Sequence, residues 1–392
     1  MSDGAAAQTA EPTTRAEALR QERQKKQQAL RPNQPDKLQR ALNFAENNAL
    51  LLLSRDGFHP KLGSLTTGSG FAFGVGYRDR DMFRKRARFE VFTAASIKKY
   101  WAIEARFAAP DTPGSRVVTE FVGSLREYPE EDYFGLGPAS LRDDRSSFLL
   151  RTAQVSGLFG VRPAPPVTLG GTLGYLTPRV GAGKNSRVPT ILERFNDQTA
   201  PGLGVDTEYL RSSVFVDVDY RVPLNARRGG WYRVEFSRYD DREDGLWTFR
   251  RADIDLRQFI PFFAERRVLA LRGYVSTSDV PDDSLGIPFF MMPWLGGNDT
   301  LRGFRNYRFR GPHALLVQAE YRWEIWSGLD GAFFYDAGKV ALRRGDLKLK
   351  DLEDDYGIGF RFNTSNGVIL RVDAAFGSRE GKHLHIVFGG IF

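Results

Sequence analysis

Three stretches of this chain alternate apolar and ionisable residues step by step, and this feature limits the fold more than any other. Val214, Val216, Val218, Tyr220 and Val222 alternate with Phe215, Asp217, Asp219 and Arg221. Ala252, Ile254 and Leu256 alternate with Arg251, Asp253, Asp255 and Arg257. Leu315, Val317, Ala319, Tyr321, Trp323 and Ile325 alternate with Leu316, Gln318, Glu320, Arg322 and Glu324. Successive side chains of a strand point to opposite faces, so each stretch is a strand with one apolar face and one charged face. In a soluble sandwich the apolar faces would share a core. In a membrane barrel they would meet lipid, and the charged faces would line a wet lumen.

Three features favour the barrel. The strand patterns run for about ten residues, the length that crosses a bilayer at a tilt. Trp101, Trp231, Trp247, Trp323 and Trp326 fall near strand ends, as interfacial girdles do. Short connections at about 363–367, 326–329, 261–266, 221–230 and 161–166 also alternate with mostly longer ones at 377–382, 338–355, 278–312, 239–247 and 176–210. A sandwich has no physical reason to keep that parity, whereas a barrel with short periplasmic turns and long external loops does. The expected fold is all-β: a single-chain transmembrane antiparallel barrel over 56–392. About fifteen segments alternate, and a first strand around 56–65 makes sixteen; fourteen follows if one segment has been split.

The rest of the chain is brief. Residues 1–35 are polar and charged, and Arg15 to Arg31 reads as a disordered arm or a solvated helix that ends at Pro32 and Pro35. From 36 to 55, Leu38, Leu42, Ala45 and Leu50 recur at helical spacing, and Asp36 after Pro35 suits an N-cap. This amphipathic helix is expected to pack at the mouth or lumen of the barrel, with the membrane surface as the alternative. Met1 to Ala10 has no basic and apolar leader pattern, which fits either a cytoplasmic protein or a mature form with a start methionine added, and the barrel reading favours the second. The chain has no cysteine and a formal charge of +8. Its Lys and Arg are dispersed among Asp and Glu, which argues against a nucleic-acid partner.

The long connection at 278–312 holds the densest sequence, Trp294-Leu295-Gly296-Gly297-Asn298-Asp299-Thr300-Leu301-Arg302-Gly303-Phe304-Arg305. Connections beyond about 12–15 residues usually carry function or are disordered, and glycines with aromatics on both sides suit a compact loop. Between 329 and 337, Leu329, Phe333, Tyr335 and Ala337 share one face, while Asp330, Phe334 and Asp336 share the other. Asp336 should therefore point into the lumen, where an arginine carried by a loop could meet it in a bidentate pair.

These residues resemble a family. Leu301-Arg302-Gly303-Phe304, preceded by Leu295-Gly296-Gly297, resembles the (V/L)-R-G-(F/Y) motif of the BamA/TamA superfamily (bacterial surface antigen type) of outer-membrane assembly and translocation barrels. Phe334-Tyr335-Asp336 is similar to that family's F-x-D strand motif, in the family's order and with one strand between the two. The chain's last residues, with Phe388 on the apolar face and Phe392 terminal, resemble the signal such barrels present to their assembly machinery. The resemblance covers about 56–392. It implies a non-enzymatic protein of the bacterial outer membrane, without cofactor, that inserts or translocates proteins or lipids. Its implied partners are outer-membrane lipids and unfolded barrel proteins, and a homo-oligomer is left open. It also implies an inward loop held by Arg302 and Asp336, and a weakly paired seam to which Gly389-Gly390 would contribute. Typical members carry POTRA modules; residues 1–55 show no strand alternation to supply one, so a barrel-only branch is expected. The alternative function is a passive channel for small solutes.

Other candidates carry less. Gly68-Ser69-Gly70, leading into Phe71-Ala72-Phe73-Gly74, does not match G-x-S-x-G and reads as a glycine-rich strand. His383 and His385 share a face and could bind a metal, yet no carboxylate neighbours them, so no metal site is expected. Asp217/Asp219 and Asp253/Asp255 are interleaved with Arg221, Arg251 and Arg257 and read as lumen salt bridges rather than acid–base pairs. Glu130 to Gly137 reads as a loop that folds over the external mouth.

Overall fold

The computed structural model describes residues 56–387 apart from 110–114, 223–225, 264, 327 and 365–366. The expected arm (1–35), the expected helix (36–55), Phe388, Gly389-Gly390 and Phe392 lie outside the described residues.

The strands are β1 (Gly57–Gly63), β2 (Ala72–Asp81), β3 (Ala87–Ser96), β4 (Trp101–Ala109), β5 (Val117–Tyr133) and β6 (Ser146–Ala164), then β7 (Val167–Ala182), β8 (Tyr209–Asp219), β9 (Gly229–Asp241), β10 (Phe249–Phe262) and β11 (Arg267–Asp279). A two-stranded ribbon, β12 (Trp294–Leu295) and β13 (Phe309–Arg310), stands apart inside the long connection. β14 (His313–Trp326), β15 (Leu329–Ala341), β16 (Glu353–Thr364), β17 (Gly367–Ser378) and β18 (Gly381–Val387) complete the chain. All but β12 and β13 form one 16-stranded antiparallel sheet in which each strand pairs with the next, curled into a nearly closed barrel. β1 supplies the first strand expected around 56–65, so the count is sixteen. Among the described residues no ladder joins β18 to β1.

The two faces differ as the alternation requires. On β14, Ala314, Leu316, Gln318, Glu320 and Arg322 are buried inside, while Leu315, Val317, Tyr321 and Trp323 face out. Outward Phe58, Phe121, Phe159, Phe236 and Phe333 are each more than half exposed on the protein alone. In water each would forgo about 1.5–3 kcal/mol of burial; against acyl chains the cost disappears. No described helix is long and apolar enough to cross a membrane, which says nothing of a barrel. β5, β6 and β7, at 17, 19 and 16 residues, overrun the roughly 9–11 residues that a bilayer needs and stand above one rim. Pro129, which has no N–H to give, sits where the β5–β6 register shifts.

The structure corrects three readings. Trp231 lies on the inward face of β9, where its Nε1 donates to Asp217 at 3.0 Å, because it shares parity with Arg233 and Glu235. Trp247 is buried with Tyr209, Tyr239, Phe249, Ile287 and Met292. Neither belongs to an outer girdle. Of the segment read as a glycine-rich strand, Ala72-Phe73-Gly74 opens β2, while Gly68-Ser69-Gly70 is a turn in the 64–71 connection, since Gly68 and Gly70 both take positive φ and Ser69 N bonds back to Thr66 O. Glu130–Tyr133 are the last residues of β5, so only Phe134 onward is loop.

Candidate functional site

The 280–312 connection is folded on itself before it meets anything else. Trp294 pairs with Arg310 and Leu295 with Phe309. Gly296 and Gly297 take φ of +112° and +97°, which side chains with a Cβ rarely adopt. This bend lets Gly297 N donate to both Leu301 O and Phe304 O, at 3.0 and 3.1 Å, and brings Gly296 N to Thr300 Oγ1 at 2.8 Å. Leu295, Leu301, Phe304 and Phe309 then bury themselves against Ala314, Leu316 and Val340, which lie on the inner face of β14 and β15.

This packing carries Arg302 to a point where its side chain is 0% exposed. Its Nε and Nη2 donate to the two oxygens of Asp336, each at 2.7 Å, and its backbone N reaches the same carboxylate at 3.3 Å. Nη1 donates to Glu320 at 2.9 Å and to Asp373 at 3.5 Å. The guanidinium lies 3.5 Å from the Phe334 ring centroid. That ring covers Gly357, where any Cβ would come within 2.2 Å of it. The Phe and the Asp of Phe334-Tyr335-Asp336 thus serve one arginine, as aromatic platform and as bidentate acceptor, while Tyr335 points outward. Burial works against the charge on Arg302, but Asp336, with Glu320 and Asp373, outweighs it and holds the pKa well above the ordinary arginine value.

A wider cluster surrounds this contact. Glu320 also accepts from Arg361 at 2.6 and 3.0 Å and from Arg322 at 2.7 Å. Arg361 reaches Asp373 as well, and Arg371 Nε lies 3.2 Å from Asp373. Four buried arginines, Arg302, Arg322, Arg361 and Arg371, lie among four buried carboxylates, Glu320, Asp336, Asp355 and Asp373, and contact all of these but Asp355. Their formal charges cancel, which is how so many ions tolerate burial. Asp355, directly across from Asp336 in the ladder, differs from the rest in that no side chain donates to its oxygens. Gly303 rests on it; a Cβ there would lie 2.4 Å from the Asp355 Cβ, so only glycine fits.

The loop is also bonded to both ends of the sheet. Towards β1 and β2, Thr67 Oγ1 donates to Asn298 at 2.6 Å, and Tyr307 Oη and Thr66 Oγ1 share a hydrogen bond of 2.9 Å. Towards β17 and β18, His385 Nε2 lies 2.7 Å from Arg302 O, Ser378 Oγ donates to Gly303 O, and Arg308 pairs with Glu380. The 134–145 connection closes from a third side, with Gly137 N donating to Arg310 O at 2.7 Å and Arg308 bonding Ser140.

Of the residues singled out from sequence, Leu301, Arg302, Gly303, Phe304, Phe334 and Asp336 come together. Glu320, Arg361 and Asp373 had not been assigned to the site. Their charges are visible on inward faces, but which charge meets which depends on the register of β14, β16 and β17. His385 contacts the Arg302 carbonyl through Nε2, and the described residues hold no group of three or more His, Asp and Glu suited to a metal. Asp219 pairs with Arg221 at 2.8 Å, and Asp255 with Arg257 and Arg272 at 2.8 and 2.9 Å. Asp253 instead accepts from Tyr274, and Arg251 turns to Ser278 and Met291 O.

These features define a class: a bacterial outer-membrane β-barrel with a long connection packed on its inner wall. Residues 222–392 match the Omp85 superfamily domain. No curated protein sequence matches the chain. Among solved structures, BamA from Haemophilus ducreyi lacking POTRA domains 1–3 is similar at 12% identity and a TM-score of 0.61, covering 85% of this chain and 70% of that one. CdiB from Escherichia coli is similar at 13% identity and TM-score 0.56, with 84% of this chain and 61% of that chain covered. CdiB from Acinetobacter baumannii gives 10%, 0.51, 85% and 59%. This chain therefore spans about three fifths of the CdiB chains, and at such identities the likeness is one of fold.

Proposed function

We propose that this barrel assists the insertion or translocation of proteins at the outer membrane, and that the 280–312 loop is a releasable plug anchored by Arg302 on Asp336. One observation carries the reading: the same loop bonds to the 64–71 connection at one end of the sheet and to Ser378, Glu380 and His385 at the other. Release of the loop therefore removes contacts at both the first and the last strands, which no ladder joins among the described residues. An opening there would offer an incoming strand unpaired backbone groups as a template. A channel for small solutes would need the plug to move but would have no use for a clasp across the seam.

Proteoliposomes test the function itself. The protein reconstituted in neutral lipid is expected to speed the folding of an unfolded barrel substrate several-fold over empty liposomes, read as the appearance of protease-resistant substrate. No acceleration, together with a steady large conductance, would identify a passive channel instead.

A further inference from the structure

The outer wall carries a second feature, beside the foot of the 280–312 loop. Near the loop-side rim, the outward residues of four adjacent strands fall into rows. Val214, Phe236, Ala252 and Thr277 are consecutive cross-strand partners across β8, β9, β10 and β11. One step nearer the rim stands the row Ser212, Arg238, Arg250 and Asp279. From the 342–352 connection, Arg344 leans over the end of both rows, its Nε donating to Thr277 Oγ1 at 3.1 Å and its Nη2 pairing with Asp279. Together these residues line a cleft of about 630 Å³.

The charges in the cleft are unevenly met. Asp240 takes Arg238 at 2.6 Å and Asp279 takes Arg344, while Arg250 has no acidic partner within ion-pair distance among the described residues. In the ladders Arg250 stands between Arg238, a like charge that repels it, and Asp279, whose carboxylate is taken by Arg344. Two other strand arginines towards the same rim are matched: Arg151 meets Glu127, and Arg179 meets Glu208. An anion between Arg238, Arg250 and Arg344 would relieve the repulsion, because guanidinium forks bind phosphate oxygens in pairs.

The setting selects the kind of anion. Immediately below the arginines the wall is apolar and exposed: Val214 and Phe236 lead down to Val216, Val234 and Ile254 on the lipid-facing surface. An occupant must therefore be anionic at the rim and apolar two residues lower. We propose that this cleft binds the phosphate headgroup of an anionic lipid of the surrounding leaflet, with Arg238, Arg250 and Arg344 on the phosphate and an acyl chain along Val214 and Phe236.

Native mass spectrometry of the protein released from neutral detergent tests this, with phosphatidic acid and phosphatidylcholine as competing probes. The protein should retain phosphatidic acid in preference, and Arg250→Ala should lower that retention about tenfold, the loss expected for a charged hydrogen-bonding group. Arg250→Lys should keep part of it, and Arg151→Ala, at a matched rim arginine, should change nothing. Far-ultraviolet circular dichroism of each variant checks that the barrel is intact. Unchanged retention in Arg250→Ala, or an equal fall in Arg151→Ala, would overturn the assignment. Displacement of phosphatidic acid by millimolar inorganic phosphate alone would reduce the cleft to a simple anion site and overturn its lipid character.

Discussion

Arg302→Ala is expected to raise single-channel conductance in planar bilayers several-fold and to make the 280–312 loop accessible to protease from the loop side. The substitution removes both bonds to Asp336, the bond to Glu320 and the stacking on Phe334 at once. Stacking of this kind contributes about 2 kcal/mol when desolvated. The more important loss is electrostatic: Asp336 keeps only Gln318 Nε2, at 3.0 Å, as a side-chain donor, with the Asp355 carboxylate directly across the ladder. Carboxylates left without a counter-ion in a dry site draw in water, and water enters here by lifting the loop. Arg302→Lys should not restore the closed state, because an ammonium cannot hold both Asp336 oxygens and stack on Phe334. An unchanged conductance in Arg302→Ala would show that the contact does not close the lumen.

The second large effect is expected at Glu320, on thermodynamic rather than conductance grounds. Its carboxylate accepts from Arg302, Arg361 and Arg322. Glu320→Gln keeps the shape and removes the charge, leaving the cluster one carboxylate short and three guanidiniums crowded around an amide that can accept on one oxygen only. Breaking a buried ion pair in this way costs about 3–5 kcal/mol. The urea midpoint of folding into micelles should fall accordingly, while conductance changes less than in Arg302→Ala, because the two bonds from Arg302 to Asp336 survive. A midpoint within error of the parent would mean that Glu320 is wet.

How much of this was legible in the sequence follows from the solvent on each face. Lipid outside and charge inside impose a strict period of two, so β8, β10 and β14 can be read directly. β1 is harder to see because Pro60 and two glycines dilute its pattern, with Phe58 and Leu62 alone marking its outer face. Trp231 and Trp247 show the weakness of reading aromatics by their place near strand ends: parity with Arg233 puts the first inside, and a folded connection buries the second. The Arg302 and Asp336 motifs stand out because both are local in sequence. The cluster around them does not, since Glu320, Arg361 and Asp373 meet only through the registers of three ladders. The clasp by Thr66 and Thr67 was hidden because Gly68 and Gly70 mimic strand glycines while building a turn.

Movement of the loop is the central claim, and it can be blocked at will because the chain has no cysteine of its own. A Thr67→Cys/Asn298→Cys variant replaces the pair now joined by a 2.6 Å hydrogen bond, and a short bis-methanethiosulfonate, each end losing methanesulfinate to a cysteine thiolate, can bridge it through two reducible disulfides. In proteoliposomes, the cross-linked protein should give no more folding of an unfolded barrel substrate than empty liposomes, and reductive cleavage of the bridge should restore the full rate. Cross-linked protein that works as fast as the cleaved form would contradict the account, because the loop would then have no need to leave.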